Sequence, residues 1–373
     1  MLIGTARTIR AEAGKTLVIV GPASYNLIEG EASVLGAPLG SSRNTVTRGK
    51  QVPVEIRSSS SFRISLGEDA SIEELEGSTI PLSWREAGSA LAEMGEGTVV
   101  VIGGADTGKT TLCTFLSNFL FTEKRQVAVV DADIGQTDLG PPTTMAAGDV
   151  TTSVVNLSEV RPSERLFIGL TSPGYAKAKV IRSIKRLVEY HAKTGKMVIV
   201  NTDGWVDGNE AVLYKLQMLD ELQPDITLGI GGNEISPILQ AGDRASLLVG
   251  SPDIIKERTR LDRRALRSLG YQKYLAGASQ GVFRVNGVKV RYCLAMNDLD
   301  LDNVPRSRLE DLKDTIVGLL DANDFLQEIG ILNEVSPTTV KVWSRIQNAP
   351  KRIEIGDVRL NHHGLELGYL RPQ

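Results

Sequence analysis

Gly103-Gly104-Ala105-Asp106-Thr107-Gly108-Lys109-Thr110 is the stretch that decides the fold of this 373-residue chain. It fits G-x-x-x-x-G-K-[ST], and its surroundings suit the motif. Upstream, Thr98-Val-Val-Val-Ile102 is a β-branched run that reads as a buried parallel strand. Downstream, Leu112, Phe115, Leu116 and Phe119 recur at helical spacing, so a helix starts where the motif ends. A strand, a glycine-rich loop and a helix in that order make a phosphate cradle. Backbone N–H groups and the helix N-terminus face the anion, Lys109 reaches the β- and γ-phosphates, and the Thr110 hydroxyl can ligate Mg²⁺. Gly103 to Thr110, with Thr111 behind them, form the expected binding site for a nucleoside triphosphate.

Three further constellations lie C-terminal to the cradle. Asp131-Ala-Asp-Ile-Gly-Gln136 follows the apolar strand Val127–Val130, and acidic residues at such a strand end sit in the crevice where α/β folds bind ligands. Strand alternation puts Asp131 and Asp133 on one side. One carboxylate can then serve the Mg²⁺ shell while the other accepts a proton from an attacking hydroxyl. Asn201-Thr-Asp-Gly-Trp205 ends the next apolar run, Met197–Val200. Its tryptophan can stack on a base or ribose, or fill a hydrophobic gap, and the sequence leaves both open. The stretch departs from the guanine-reading Asn-Lys-x-Asp pattern, with Thr202 where lysine is needed, which counts against a GTPase-like switch. Finally, Lys256, Arg258, Arg260, Arg263, Arg264, Arg267 and Lys273 face only Glu257 and Asp262, a net charge of +5 within residues 256–273. Arg263 and Arg267 are i, i+4 and share a helix face, as do Arg260 and Arg264, so spacing does not choose the pair. Arginines on a helix above a phosphate cradle can neutralise a transferring phosphoryl group.

Length implies two or three domains. Residues 1–75 alternate short strand-like runs (Thr16–Val20, Ala32–Leu35, Val52–Ile56 and Phe62–Leu66) with glycine and proline, the pattern of a small antiparallel sandwich. Residues 76–281 carry helices (83–94 and 176–191) between strands (98–102, 127–130, 197–200, 226–230 and 246–249), which implies an αβα sandwich on a mostly parallel sheet. Helices at about 254–277 are expected over the site. Residues 282–373 return to short strands around one helix expected at 309–320. The fold class is therefore α/β, a P-loop αβα sandwich flanked by β-rich N- and C-terminal domains. No apolar run approaches the ~20 residues of a membrane helix. Two cysteines, Cys113 and Cys293, and the absence of a signal-peptide pattern imply a cytoplasmic, reducing setting. A formal charge of −3 argues against tracking a long nucleic acid but not against gripping a few terminal nucleotides.

The four constellations in this order resemble the polynucleotide 5′-hydroxyl kinase family, which includes the kinase subunit of the pre-mRNA cleavage complex and its nucleolar and archaeal relatives. Asp131-x-Asp133-x-Gly135-Gln136 matches the family's D-x-D-x-G-Q, and Thr202-x-Gly204-Trp205 matches its T-x-G-W clasp. Arg258, Arg263 and Arg267 fit the lid arginines, with Tyr274-Leu-Ala-Gly277 closing the segment, and the lead-in from Gly77 to Trp84 also has the family pattern. Ala276 departs from relatives, which often carry an aromatic there.

The resemblance implies a phosphotransferase moving the γ-phosphate of ATP, with Mg²⁺, to the 5′-hydroxyl of RNA, with DNA ends also open as substrates. Lys109 and the 103–111 loop, with Arg258, would bind ATP; Thr110 and Asp131 would place the metal. Asp133 would be the base, and Arg263 and Arg267 would cover the transferring phosphate. Gln136, Thr202, Gly204 and Trp205 would hold the terminal nucleotides. It leaves RNA-processing protein partners open, and the compact form without long terminal extensions points to an archaeal type of source. The competing role is an ATP-holding scaffold in an RNA-processing complex.

Overall fold

Three β-systems follow one another along the chain in the computed structural model, which describes residues 6–193, 195–254, 257–295, 297–346 and 349–370. Lys256, counted in the basic segment above, lies outside the described residues.

The first system is a pair of packed antiparallel sheets. One has the order Arg7–Ala11, Ser60–Leu66, Ala23–Glu29, Asn44–Val46; the other runs Ala37–Pro38, Ala32–Val34, Gln51–Ile56, Lys15–Val20, Ser71–Glu76. Alternation drives the packing. Leu17 and Ile19 on one sheet and Tyr25, Phe62 and Ile64 on the other are buried in a common core.

The central sheet has seven strands, in the order Glu164–Phe167, Thr144–Asp149, Val127–Asp131, Met197–Asn201, Gly97–Gly103, Ile226–Ile230, Ser246–Val249. The last five are mutually parallel, and the first two form an antiparallel edge. Val99–Ile102 and Val127–Val130 are fully buried, as the uninterrupted apolar runs require of strands covered on both faces. Leu82–Met94 and Lys109–Thr122 pack together on one face, where Trp84 meets Phe115 at 5.9 Å between ring centroids. Lys177–Ala192 and Asn209–Leu222 pair with each other and feed a separate core cluster. This is the α/β sandwich with a mostly parallel sheet read from the sequence.

The third system orders Ser279–Arg284, Thr339–Ser344, Leu326–Val335, Thr315–Leu320, Arg352–Leu360 and Lys289–Tyr292, with Glu366–Tyr369 added beside Arg352–Leu360. The helix expected at 309–320 is corrected here. Only Arg306–Glu310 is helical, and Thr315–Leu320 is a central strand with all six residues buried. Short apolar runs are ambiguous by periodicity, and pairing on both edges decides for strand.

The basic segment forms one helix, Arg260–Leu275. Its start is set by a capping box: the Thr259 hydroxyl accepts from Asp262 N at 3.2 Å, and the Asp262 carboxylate accepts from Thr259 N at 2.9 Å. The helix bridges all three systems. Leu266 lies against Gly49, Gly270 against Pro142, and Tyr271 against Gly364.

Candidate active site

The strand Gly97–Gly103 delivers the cradle to the C-terminal edge of the parallel sheet, and Lys109–Thr122 carries it away. Gly108 caps that helix at φ 101°, a left-handed geometry that glycine adopts without strain, and no side chain caps the helix. The first-turn N–H groups therefore open onto the loop, where an anion is the natural partner. Lys109 is buried and donates to the Gly104 carbonyl, which also accepts from the Thr107 hydroxyl at 3.0 Å. Burial pulls the Lys109 ammonium below its usual pKa, while the nearby Asp133 carboxylate pulls it back up. A second anion such as a phosphate would pull it up further. The site fits a triphosphate.

The two aspartates differ in surroundings. Asp131 is fully buried. Its Oδ2 accepts from Thr137 Oγ1 (2.9 Å), Asp138 N (2.6 Å) and Leu139 N (3.2 Å), and its Oδ1 accepts from Asn201 Nδ2 (3.0 Å). Burial, then repulsion from Asp138 and Asp133, pushes its carboxyl up to about 6, against the pull of the backbone N–H bonds. Asp133 uses one oxygen only: Oδ1 accepts from Gly135 N (3.1 Å) and Gln136 N (3.0 Å). Its Oδ2 accepts no hydrogen bond among the described residues. Burial raises its pKa, opposed chiefly by Lys109.

The same Asn201 Nδ2 also donates to Thr110 Oγ1 at 3.3 Å, so Thr110 and Asp131 flank one amide whose Oδ1 is buried without a partner. An orphaned oxygen between a cradle threonine and an aspartate suits a hydrated cation. Among the described residues, no group of three or more His, Cys, Asp or Glu side chains is placed to hold a metal alone. The donor set thus suits Mg²⁺ bound through phosphate oxygens and water better than a caged ion.

The clasp loop sits on the cradle. A Cβ at Gly204 would stand 2.8 Å from the Ala105 backbone, so only glycine lets the two loops touch. The Thr202 hydroxyl is committed to the Val101 carbonyl at 2.8 Å inside the core. Trp205 is half-buried. Its ring stacks on Tyr214 at 5.6 Å, and the Lys177 ammonium lies 5.5 Å from its centroid. Beneath it is a network the sequence reading missed. Asp203 accepts from Trp205 N (3.0 Å) and Tyr214 OH (2.9 Å) and forms an ion pair at 3.1 Å with Lys215, which is 0% exposed. A signal existed. Lys215 sits inside the buried stripe Ala211, Tyr214, Met218 and Leu219, where a lysine needs a buried partner.

The helix lid divides its arginines. Arg263 pairs with Asp106 at 2.6 Å, and Arg258 gives Asp106 its backbone N–H at 3.0 Å and its guanidinium at 3.4 Å. Asp106 is thus the lid's anchor at the crest of the cradle. Gln136 Nε2 donates to the Arg263 carbonyl at 3.3 Å, joining the aspartate loop to the lid. Arg267 points elsewhere, forming two bonds to the buried Glu366 carboxylate at 2.7 and 2.8 Å. Arg264 donates to the Glu366 carbonyl at 3.0 Å. Lys50 of the N-terminal sandwich pairs with Asp138, so all three systems meet at the site.

Residues 103–277 match the family described as mRNA cleavage and polyadenylation factor CLP1 P-loop. That segment covers the cradle, both aspartates, the clasp and the lid. Relatives extend over more of the chain. A polyribonucleotide 5′-hydroxyl-kinase of Pyrococcus horikoshii is 26% identical over 320 residues, 73% of this chain and 88% of that one. Another, of Methanocaldococcus jannaschii, is 26% identical over 325 residues, 73% and 89% of the two chains. Among solved structures, the wild-type Clp1p–Pcf11p complex superposes with a TM-score of 0.70 at 14% identity, covering 95% of this chain and 98% of that one, and it shares the fold. No helix among the described residues is long and apolar enough to cross a membrane.

Proposed function

We propose that this protein is an ATP-dependent polynucleotide 5′-hydroxyl kinase that transfers the γ-phosphate of ATP to the 5′-hydroxyl of RNA, with DNA ends as further substrates. The observation that carries the reading is Asp133: one oxygen pinned by two backbone N–H groups, the other free, beside a buried cradle lysine. A carboxylate fixed in that way, with its pKa raised by burial, is suited to accept a proton from an incoming hydroxyl. Kinase names among the relatives support the same chemistry.

In this reading Gly103 to Thr111 hold the triphosphate through backbone N–H groups, and Lys109 neutralises the β/γ region. Thr110, Asp131 and Asn201 would hold Mg²⁺ with its waters, and the ion would supply charge neutralisation on the phosphate oxygens. Asp133 Oδ2 accepts the 5′-hydroxyl proton as the oxygen attacks the γ-phosphorus and the bond to the β-phosphate oxygen breaks. Arg258 and Arg263 already stand at the crest of the cradle and need only exchange Asp106 for phosphate oxygens. Arg267 joins them on release from Glu366. Trp205, braced by Tyr214 and the buried Asp203–Lys215 pair, presents its exposed edge to the terminal nucleotide. Thr202, Gly204 and Gln136 shape that clasp by holding it against the cradle and the lid. The three-part division at about 75 and 281 follows: a sandwich at the lid's flank, a transfer domain, and a C-terminal sheet gripping the lid. Protein partners in RNA processing and a cytoplasmic, archaeal setting belong to the same reading.

Single-turnover transfer by the parent chain and by Asp133→Asn, with ATP affinity measured separately, tests it. Lost transfer with kept affinity supports the assignment. Equal loss of both would move Asp133 from proton acceptor to phosphate or metal binding.

A further inference from the structure

The C-terminal sheet carries an open, solvent-facing cavity of about 520 Å³ that the proposed transfer reaction does not use. Gln280, Lys313, Asn333, Trp343 and His362 line it. It lies beside the C-terminal end of the lid helix. Gln280 follows that helix by five residues in the chain, and Gly364, two residues beyond His362, packs against the Gln272 backbone.

The lining has the composition of a nucleotide site. Trp343 is half-buried and meets the His362 ring edge-on, with centroids 5.8 Å apart and planes at 73°, which braces the indole. Gln280 stands directly across the sheet from Trp343. Asn333 is the extra residue of a β-bulge: Leu332 pairs with Val342 and Glu334 with Lys341, leaving Asn333 unpaired in the ladder. Bulges of this kind re-aim a side chain. Asn333 Nδ2 donates to Gln280 Oε1 at 3.4 Å, while its Oδ1 is buried with no partner. Asn333 therefore orients the exposed Gln280 amide, whose Nε2 donor and remaining Oε1 lone pair stand side by side next to an aromatic face. The exposed Lys313 ammonium forms no ion pair among the described residues. Adjacent donor and acceptor groups match the edge of a nucleobase, the indole its face, and a free ammonium its phosphate.

We propose that this cavity is a second nucleotide-binding subsite, which holds one downstream nucleotide of the acceptor strand while the 5′ end occupies the transfer site. This rests on the polynucleotide kinase reading. It predicts a preference for longer acceptors through a contact remote from the chemistry, placed on the same sheet that grips the lid through Glu366.

The test compares binding and phosphorylation of a trinucleotide and a long 5′-hydroxyl RNA by the parent, Lys313→Glu and Trp343→Ala. Lys313 is exposed, so its variant folds even if loss of the indole disturbs the sheet. Long RNA is expected to bind roughly tenfold more weakly to each variant, with trinucleotide phosphorylation and ATP affinity unchanged. Ultraviolet crosslinking of the long RNA should mark the peptide containing Trp343. Competition by unlabelled long RNA but not by mononucleotides supports a strand nucleotide as the occupant. Competition by mononucleotides as well keeps the nucleotide chemistry and makes a free nucleotide the source. Unchanged long-RNA affinity in Lys313→Glu, together with no crosslink at Trp343, overturns the proposal. If the parent phosphorylates no acceptor at all, the kinase reading fails, and the binding and crosslinking results still decide the cavity.

Discussion

Removing the Arg267 side chain should unfasten the lid from the C-terminal sheet at a large cost in stability. Its guanidinium makes two bonds to Glu366, and the two side chains are 11% and 1% exposed. Tyr369 adds a bond to the same carboxylate at 3.0 Å. In Arg267→Ala the Glu366 charge stays buried without a cation, and breaking such a pair costs about 3–5 kcal/mol. Most of that cost is the stranded charge, so Arg267→Met combined with Glu366→Gln should recover most of it, since Gln still accepts from Tyr369. Urea unfolding followed by tryptophan fluorescence reads the difference, with the C-terminal and central transitions scored separately because a chain of this size need not unfold in one step. A single variant as stable as the parent would refute the reasoning and mark the pair as a solvent-screened contact. The double variant also separates two roles of Arg267 once folding is restored. Lost kcat at saturating ATP is expected if the arginine leaves Glu366 to cover the phosphates. Restored kcat would leave it a tether.

Three other outcomes follow from the same geometry. Asp106→Asn removes the anion that holds Arg258 and Arg263; protease cleavage within residues 257–263 of the nucleotide-free protein should accelerate, with ATP suppressing the difference. Asp203→Ala strands the fully buried Lys215 and unpairs Tyr214, so a loss of several kcal/mol is expected, and Lys215→Met added to it should recover part of the melting temperature. Trp205→Ala should weaken RNA binding by about 1–3 kcal/mol while the fold persists, read by fluorescence anisotropy with ATP affinity as control.

The elements legible in the sequence were those whose signal is local. The cradle could be read because a β-branched run, a glycine loop and a helical stripe stand in series from Thr98 to Phe119. The sandwich strands at 16–20, 32–35, 52–56 and 62–66 could be read because glycine and proline punctuate them. Thr315–Leu320 was misread because periodicity cannot separate a short buried strand from a helix, and the pairing that decides it comes from residues 326–335 and 352–360. Glu366 could not be found as the partner of Arg267 because it lies 99 residues away in sequence. Asn201 and Asp203 were visible at a strand end, but their roles as the cradle's amide and the buried counterion of Lys215 depend on packing. Thr202 reads as a ligand-binding residue in the motif, and its hydroxyl closes the core instead.

The central claim is tested most directly by γ-phosphate transfer from labelled ATP to a short 5′-hydroxyl RNA, run beside its 5′-phosphorylated twin and a DNA version. The account predicts label on the 5′-hydroxyl RNA and none on the twin, with the RNA-to-DNA ratio giving the acceptor preference. No label on any strand, with ATP bound tightly, would contradict it and leave an ATP-holding scaffold in its place.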